Sequence, residues 1–185
     1  MVLEAYYGEF QHGHMEKVGY DTYCKLLDEV VREMQGIEVE EEIDVQIDIN
    51  ISSYIPDEYI ESSTQKIEVY QDIALCKTEE DISEIIDEIT DRYGNMPDEV
   101  NNLIEITRIK QLCKKSNIIK VNQKRENVVF TFNEKDFNIE IVQTLLQKFR
   151  NQIKFSPGAV PYITYKIKNL SNTIQEIKEF LEACK

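Results

Sequence analysis

Glu88-Ile89-Thr90-Asp91-Arg92-Tyr93-Gly94-Asn95-Met96-Pro97 ends one acidic helix on a glycine and opens the next on a proline. Glu88 and Asp91 are three residues apart, which puts both carboxylates on one helical face near the C-terminus. That end carries the negative pole of the helix dipole and favours cations. Two acids there cost stability unless something positive meets them, so the pair marks a surface awaiting a basic partner.

Upstream, Thr78-Glu79-Glu80-Asp81 has the form of a capping box with Asp in the place usually held by Glu. Ile82, Ile85, Ile86, Ile89 and Tyr93 then form an apolar stripe. The same helix carries Glu79, Glu80, Asp81, Glu84, Asp87, Glu88 and Asp91 before its first base, Arg92. Like charges at these spacings cost a few tenths of a kcal/mol each. A solvated face and a docking face both fit this pattern. Arg92 suits local packing or a neighbouring acid better than a phosphate. Downstream, the helix opened by Pro97 buries Val100, Leu103, Ile104 and Leu112, with Ile106 or Ile109.

Farther out, the spacing predicts a helix over 20–34, stopped by Gly36, and a solvated acidic connection over 38–42. Ile43, Val45, Ile47, Ile49 and Ile51 alternate with polar residues, the pattern of a half-buried strand. Tyr54 to Ile60 breaks it, as a clasp leading into a helix over 63–77 with Ile67, Tyr70, Ile73 and Ala74 inward. The last third alternates differently. Strands are expected over 118–121 and 128–132 around a polar hairpin, then a helix over 136–150. Strands near 152–155 and over 162–167 follow, with a closing helix over 170–183 that turns Ile174, Ile177 and Leu181 inward. This defines an α/β (α+β) class, a small mixed sheet packed with a layer of helices. One boundary is expected: residues 1–16 as loop or disordered chain, residues 17–185 as one domain.

The 185 residues suffice for a sizeable core. No apolar run approaches the ~18 residues of a membrane span, and the N-terminus lacks a signal peptide's pattern, so no membrane contact and a cytoplasmic location are expected. Cys24, Cys76, Cys113 and Cys184 form no CxxC pair and read as reduced core thiols. Residues 1–109 hold 28 acids against 7 bases, and residues 110–185 hold 7 acids against 14 bases. The first half is therefore a poor nucleic-acid binder. The second half carries dispersed bases, and Lys114, Lys115, Lys120, Lys124 and Arg125 support a rival reading as a nucleic-acid-binding module. Phosphate-loop, dinucleotide and nucleophile-elbow motifs are absent. His12 and His14 have no partners at a standard zinc spacing, so neither metal binding nor histidine catalysis is expected.

Tyr54-Ile55-Pro56-Asp57-Glu58-Tyr59-Ile60, Tyr70 to Ala74, Lys77-Thr78-Glu79-Glu80, Asp91-Arg92-Tyr93-Gly94 and Pro97, in this order, resemble the C-terminal domain of bacterial transcription-repair coupling factors. Gln11-His12-Gly13-His14 and Val18-Gly19-Tyr20-Asp21-Thr22-Tyr23 resemble the segment joining that family's motor to this domain. The likeness covers most of the chain up to about residue 120; beyond it the pattern agrees rather than the motifs.

The resemblance implies a regulatory domain that hydrolyses nothing itself. The whole protein it implies is an ATP-dependent superfamily 2 double-stranded DNA translocase, with ATP and Mg in an upstream motor. That protein removes stalled RNA polymerase and recruits nucleotide excision repair through UvrA. In it, this domain clamps the N-terminal UvrB-like module and hides the UvrA-binding surface. Glu88 and Asp91, with Arg92 beside them, match the acidic positions of that clamp. Gln11 and Gly13 match the motor-coupling motif, although His12 stands where Ser is usual and residues 1–6 depart from the family's pattern. Any coupling role is latent without the motor, and no cofactor is expected in the chain itself.

Overall fold

A computed structural model of the protein describes residues 44–134 and 137–184. The expected helix over 20–34, the boundary near residue 17, Cys24, Gln11, Gly13 and both histidines lie outside these residues. The chain runs through β1 (Gln46–Asp48), α1 (Ser63–Leu75), α2 (Glu79–Tyr93), α3 (Asp98–Lys115), β2 (Ile118–Lys124) and β3 (Asn127–Phe132). It continues through α4 (Ile139–Phe149), β4 (Ile153–Ser156), β5 (Tyr162–Lys166) and α5 (Thr173–Glu182). The five strands form one sheet in the order β1-β2-β3-β5-β4, with β1 parallel to β2 and every other pair antiparallel. This is the α+β class with a mixed sheet that the alternating periods predict.

Among the described residues, two apolar clusters hold the fold together. The first lies among α1, α2 and the start of α3, where Ile55, Ile60, Ile73, Ile82, Ile89, Leu103 and Ile104 are buried. The second lies under the sheet, where Val121, Phe130, Ile163 and Tyr165 meet Leu145, Phe149, Ile177 and Phe180. Helix α3 belongs to both. Its first half gives Val100, Leu103 and Ile104 to the helical cluster, and its second half gives Ile109 and Cys113 to the sheet cluster. A helix wedged between two cores must be apolar on more than one side. That is why both Ile106 and Ile109 are buried, where the stripe allowed either.

Helix ends follow their sequence signals. The Thr78 side chain accepts from the Asp81 N–H at 3.1 Å, and the Asp81 carboxylate accepts from the Thr78 N–H at 2.8 Å, a complete capping box. Gly94 ends α2 with φ +85°, a conformation that side chains disfavour. The 54–60 segment is a clasp, as its residues predict. Ile55 and Ile60 are buried, the Ile55 N–H donates to the Tyr70 hydroxyl at 2.8 Å, and the Tyr59 hydroxyl donates to the Gly94 carbonyl at 2.8 Å.

Several details differ from the sequence reading. Alternation over 45–51 holds, but only three residues join the ladder, with β2 the one neighbour of β1 among the described residues. Helix α1 stops at Leu75 and leaves Ala74 exposed, while Val69 and Lys66 turn inward. The buried Lys66 ammonium is paired with Asp57, which offsets its desolvation. Strand β2 runs on to Lys124, so the hairpin closes on Arg125 and Glu126, with Arg125 at φ +57°. Among the described cysteines, Cys113 and Cys184 are buried and Cys76 half-buried, all three as free thiols.

Candidate functional site

The acidic C-terminal end of α2 stands where the sequence puts it. Ile82, Ile85 and Ile89 bury one side of the helix, which turns Glu88, Asp91 and Arg92 outward. The Arg92 guanidinium donates to the Glu88 carboxylate at 2.9 Å and lies 5.1 Å from the Tyr93 ring centre. It therefore packs locally and pairs with an acid. An exposed i,i+4 pair of this kind is weak, screened by solvent, and yields readily to a competing cation. Asp91, fully on the solvent side, has no cation beside it among the described residues.

The acidic surface is wider than the sequence motif. Asp72 on α1 is pushed above the usual carboxylate range, by burial first and then by the Glu88 and Glu68 carboxylates, with Arg92 opposing. Asp72 and Glu68 thus share one field with Glu88 across the α1–α2 contact. Their i,i+4 spacing on α1 puts both on one face, but nothing in the sequence says which neighbour that face meets. Behind the patch, the tyrosine clasp fixes the angle between 54–60 and the end of α2. The Tyr59 and Tyr93 rings are 6.1 Å apart, and the Tyr59 hydroxyl holds Gly94.

At the other end of α2 a second charged group is structural. Arg108 bridges Glu79 at 2.6 Å and Glu105 at 2.5 Å, and Lys178 reaches Glu105 at 2.7 Å, so α2, α3 and α5 are tied at one point. Burial pushes the Glu105 carboxyl up, but its bonds to Lys178 and Arg108 outweigh this and hold it below the usual glutamate range. A carboxyl depressed in the fold stabilises it above the unfolded value of about 4.3, and loses that contribution as pH falls through the folded value. Glu105→Gln is therefore expected to cost on the order of 1 kcal/mol at neutral pH, allowing for partial exposure. The gap to wild type should close as pH falls below the unfolded value and through the lower folded one. Urea titrations across that range check it; a gap independent of pH would assign the loss to packing.

The five bases of the rival reading do not form one patch. Lys114 and Lys115 end α3, Lys120 and Lys124 lie within β2, and Arg125 occupies the turn after it. The length of β2, about 20 Å, separates its ends. Among the described residues no cluster of His, Cys, Asp and Glu is arranged to hold a metal, and no helix is long and apolar enough to cross a membrane.

Fold and site define a two-core α+β module whose exposed chemistry is charge. Residues 49–143, or 95 of the 185, match the TRCF domain family, and the chain belongs to that family. A transcription-repair-coupling factor of Borreliella burgdorferi is 30% identical over 167 residues, which cover 90% of this chain and 15% of that protein. One from Staphylococcus haemolyticus is 40% identical over 105 residues, covering 56% of this chain and 9% of that protein. The chain thus spans a small fraction of the relatives it matches. A crystal structure of the C-terminal domain of transcription-repair coupling factor agrees with a TM-score of 0.68 at 22% identity, over 76% of this chain and 91% of that one, a likeness of fold.

Proposed function

We propose that this chain is the non-catalytic regulatory C-terminal domain of a transcription-repair coupling factor, and that it acts as a releasable clamp. Glu88 and Asp91 dock on a basic surface of the UvrB-like module of the same protein and mask its UvrA-binding face. The observation that carries this reading is the exposed Glu88–Asp91 pair at the dipole-negative end of α2, with Asp91 lacking a cation among the described residues. Arg92 serves the site by holding Glu88 until a partner cation replaces it. Exposed pairs contribute about 0–1 kcal/mol each, so such a clamp can be undone by a competing contact.

The whole protein, in this reading, is an ATP-dependent double-stranded DNA translocase that displaces stalled RNA polymerase and then recruits UvrA. ATP and Mg belong to its upstream motor, and Gln11 and Gly13 to the segment that couples the motor to translocation. Residues 17–185 form the regulatory domain and work in the cytoplasm. Calorimetric titration of this chain with the separately expressed UvrB-like module tests the clamp. Binding at low salt should weaken steeply as salt rises; an affinity insensitive to salt would rule out a charged clamp.

A further inference from the structure

Among the described residues, nothing covers one face of the sheet. On the other, Phe130 stacks on Phe180, Phe149 packs edge-on to Tyr165, and Phe137 stacks on Phe155, so α4, α5 and the 137 segment cover it. Residues paired across a ladder point to the same side, and the register therefore fixes what the bare face carries. Lys120 and Tyr162 both lie opposite Thr131. Lys124 and Lys166 both lie opposite Asn127, and Lys154 lies opposite Thr164. All four lysines are exposed, and the Tyr162 ring is 40% exposed.

This is a local excess of positive charge in a chain of net −14. The acid on the face, Asp48, is engaged by the Asn122 amide at 2.7 Å, and Glu126 at the hairpin pairs with Lys166 at 3.3 Å, both ends well exposed. Two strand spacings, about 10 Å, separate Lys120 from Tyr162 and Lys124 from Lys166, while Lys120 and Lys124 are about 13 Å apart along β2. The lysines thus frame an area a few nucleotides long, with the Tyr162 ring in one outer row, across Thr131 from Lys120. Among the described residues, the apolar side chains on the face are Tyr162 and the half-buried Val129, which offer an amphipathic protein helix no row of anchors. An open sheet with lysines around an aromatic ring is the arrangement that holds phosphates while an unpaired base stacks.

We propose that this bare face binds single-stranded nucleic acid, with phosphates held by Lys120, Lys124, Lys154 and Lys166 and a base stacked on Tyr162. The surface uses sheet residues alone and stands independently of docking through Glu88 and Asp91. Fluorescence anisotropy of this chain with a labelled 12-nucleotide mixed-sequence DNA tests it. Four phosphate contacts give a salt slope near −2.8, so affinity should fall about 300-fold between 25 and 200 mM NaCl. Lys120→Gln with Lys154→Gln should roughly halve that slope. Tyr162→Ala should weaken binding about tenfold and leave the slope unchanged. Lys115→Glu with Lys148→Glu, on the helix side, should change little. Absence of binding at 25 mM NaCl, or equal loss in the helix-side variant, overturns the proposal. So does preference for the duplex, or equal competition by polyglutamate with no effect of Tyr162→Ala, the latter pointing to an acidic peptide. Circular dichroism of each variant confirms that the fold is kept.

Discussion

Replacing Phe180 with alanine is expected to lower the unfolding free energy by about 3–5 kcal/mol, the range for deleting a fully buried aromatic ring. Phe180 is fully buried, and its ring stacks on Phe130 at 4.1 Å and meets Tyr165 at 5.4 Å and Phe149 at 5.6 Å. It therefore joins β3, β5 and α4 through one side chain on α5. Each aromatic contact adds about 0.5–1.5 kcal/mol beyond area burial, and none can reform across the cavity left behind. Against a total stability of about 5–15 kcal/mol, the loss is a large fraction. It should appear as a fall of roughly 10 °C in Tm. Urea denaturation followed by circular dichroism measures it. Leu170→Ala, at a position 61% exposed, should stay within about 0.5 kcal/mol. A loss below about 1 kcal/mol at Phe180 would mean that the sheet cluster does not depend on α5.

Local features were legible in the sequence, and neighbour relations were not. The capping box and the Gly94 stop rest on residues close in the chain, and each is present as read. The 54–60 clasp is present too, but the bonds that close it reach Tyr70 and Gly94 farther along. The closing helix starts at Thr173 rather than near 170 because a turn of 3-10 helix, Leu170–Asn172, precedes it. Burial of Lys66 depends on Asp57 arriving from another segment, which no periodicity in α1 reveals. Asp72 and Glu68 join the acidic face only because α1 packs beside α2. Likewise, Lys166 shares a face with Lys120 and Lys124 because β5 pairs with β3, and Lys154 joins it from β4 one strand farther out. Strand order is a property of the whole sheet, so a count of lysines along the chain finds the charge without finding the surface.

Glu88→Arg with Asp91→Arg should leave this fold intact and release the clamp in the whole protein. Within the domain, the exchange removes the Glu88–Arg92 pair and sets two arginines at i,i+4, a cost of a few tenths of a kcal/mol. Cations at the C-terminal end of α2 meet the dipole favourably and offset part of that cost. The net change in stability should therefore stay within about 0.5 kcal/mol, readable in the same urea titration. At the interface the balance runs the other way. Two exposed attractions of about 0–1 kcal/mol each become two repulsions of similar size, shifting the docked state by about 1–3 kcal/mol. That is roughly a 5- to 150-fold rise in the released population. Because masking and UvrA binding compete for one surface, the apparent UvrA affinity of the whole protein should rise by up to the same factor. Restoring the acids one at a time distinguishes their shares, with Asp91 expected to carry more because Glu88 must first give up Arg92. UvrA binding as weak as wild type, in a reversal mutant of unchanged stability, would remove this face from the clamp.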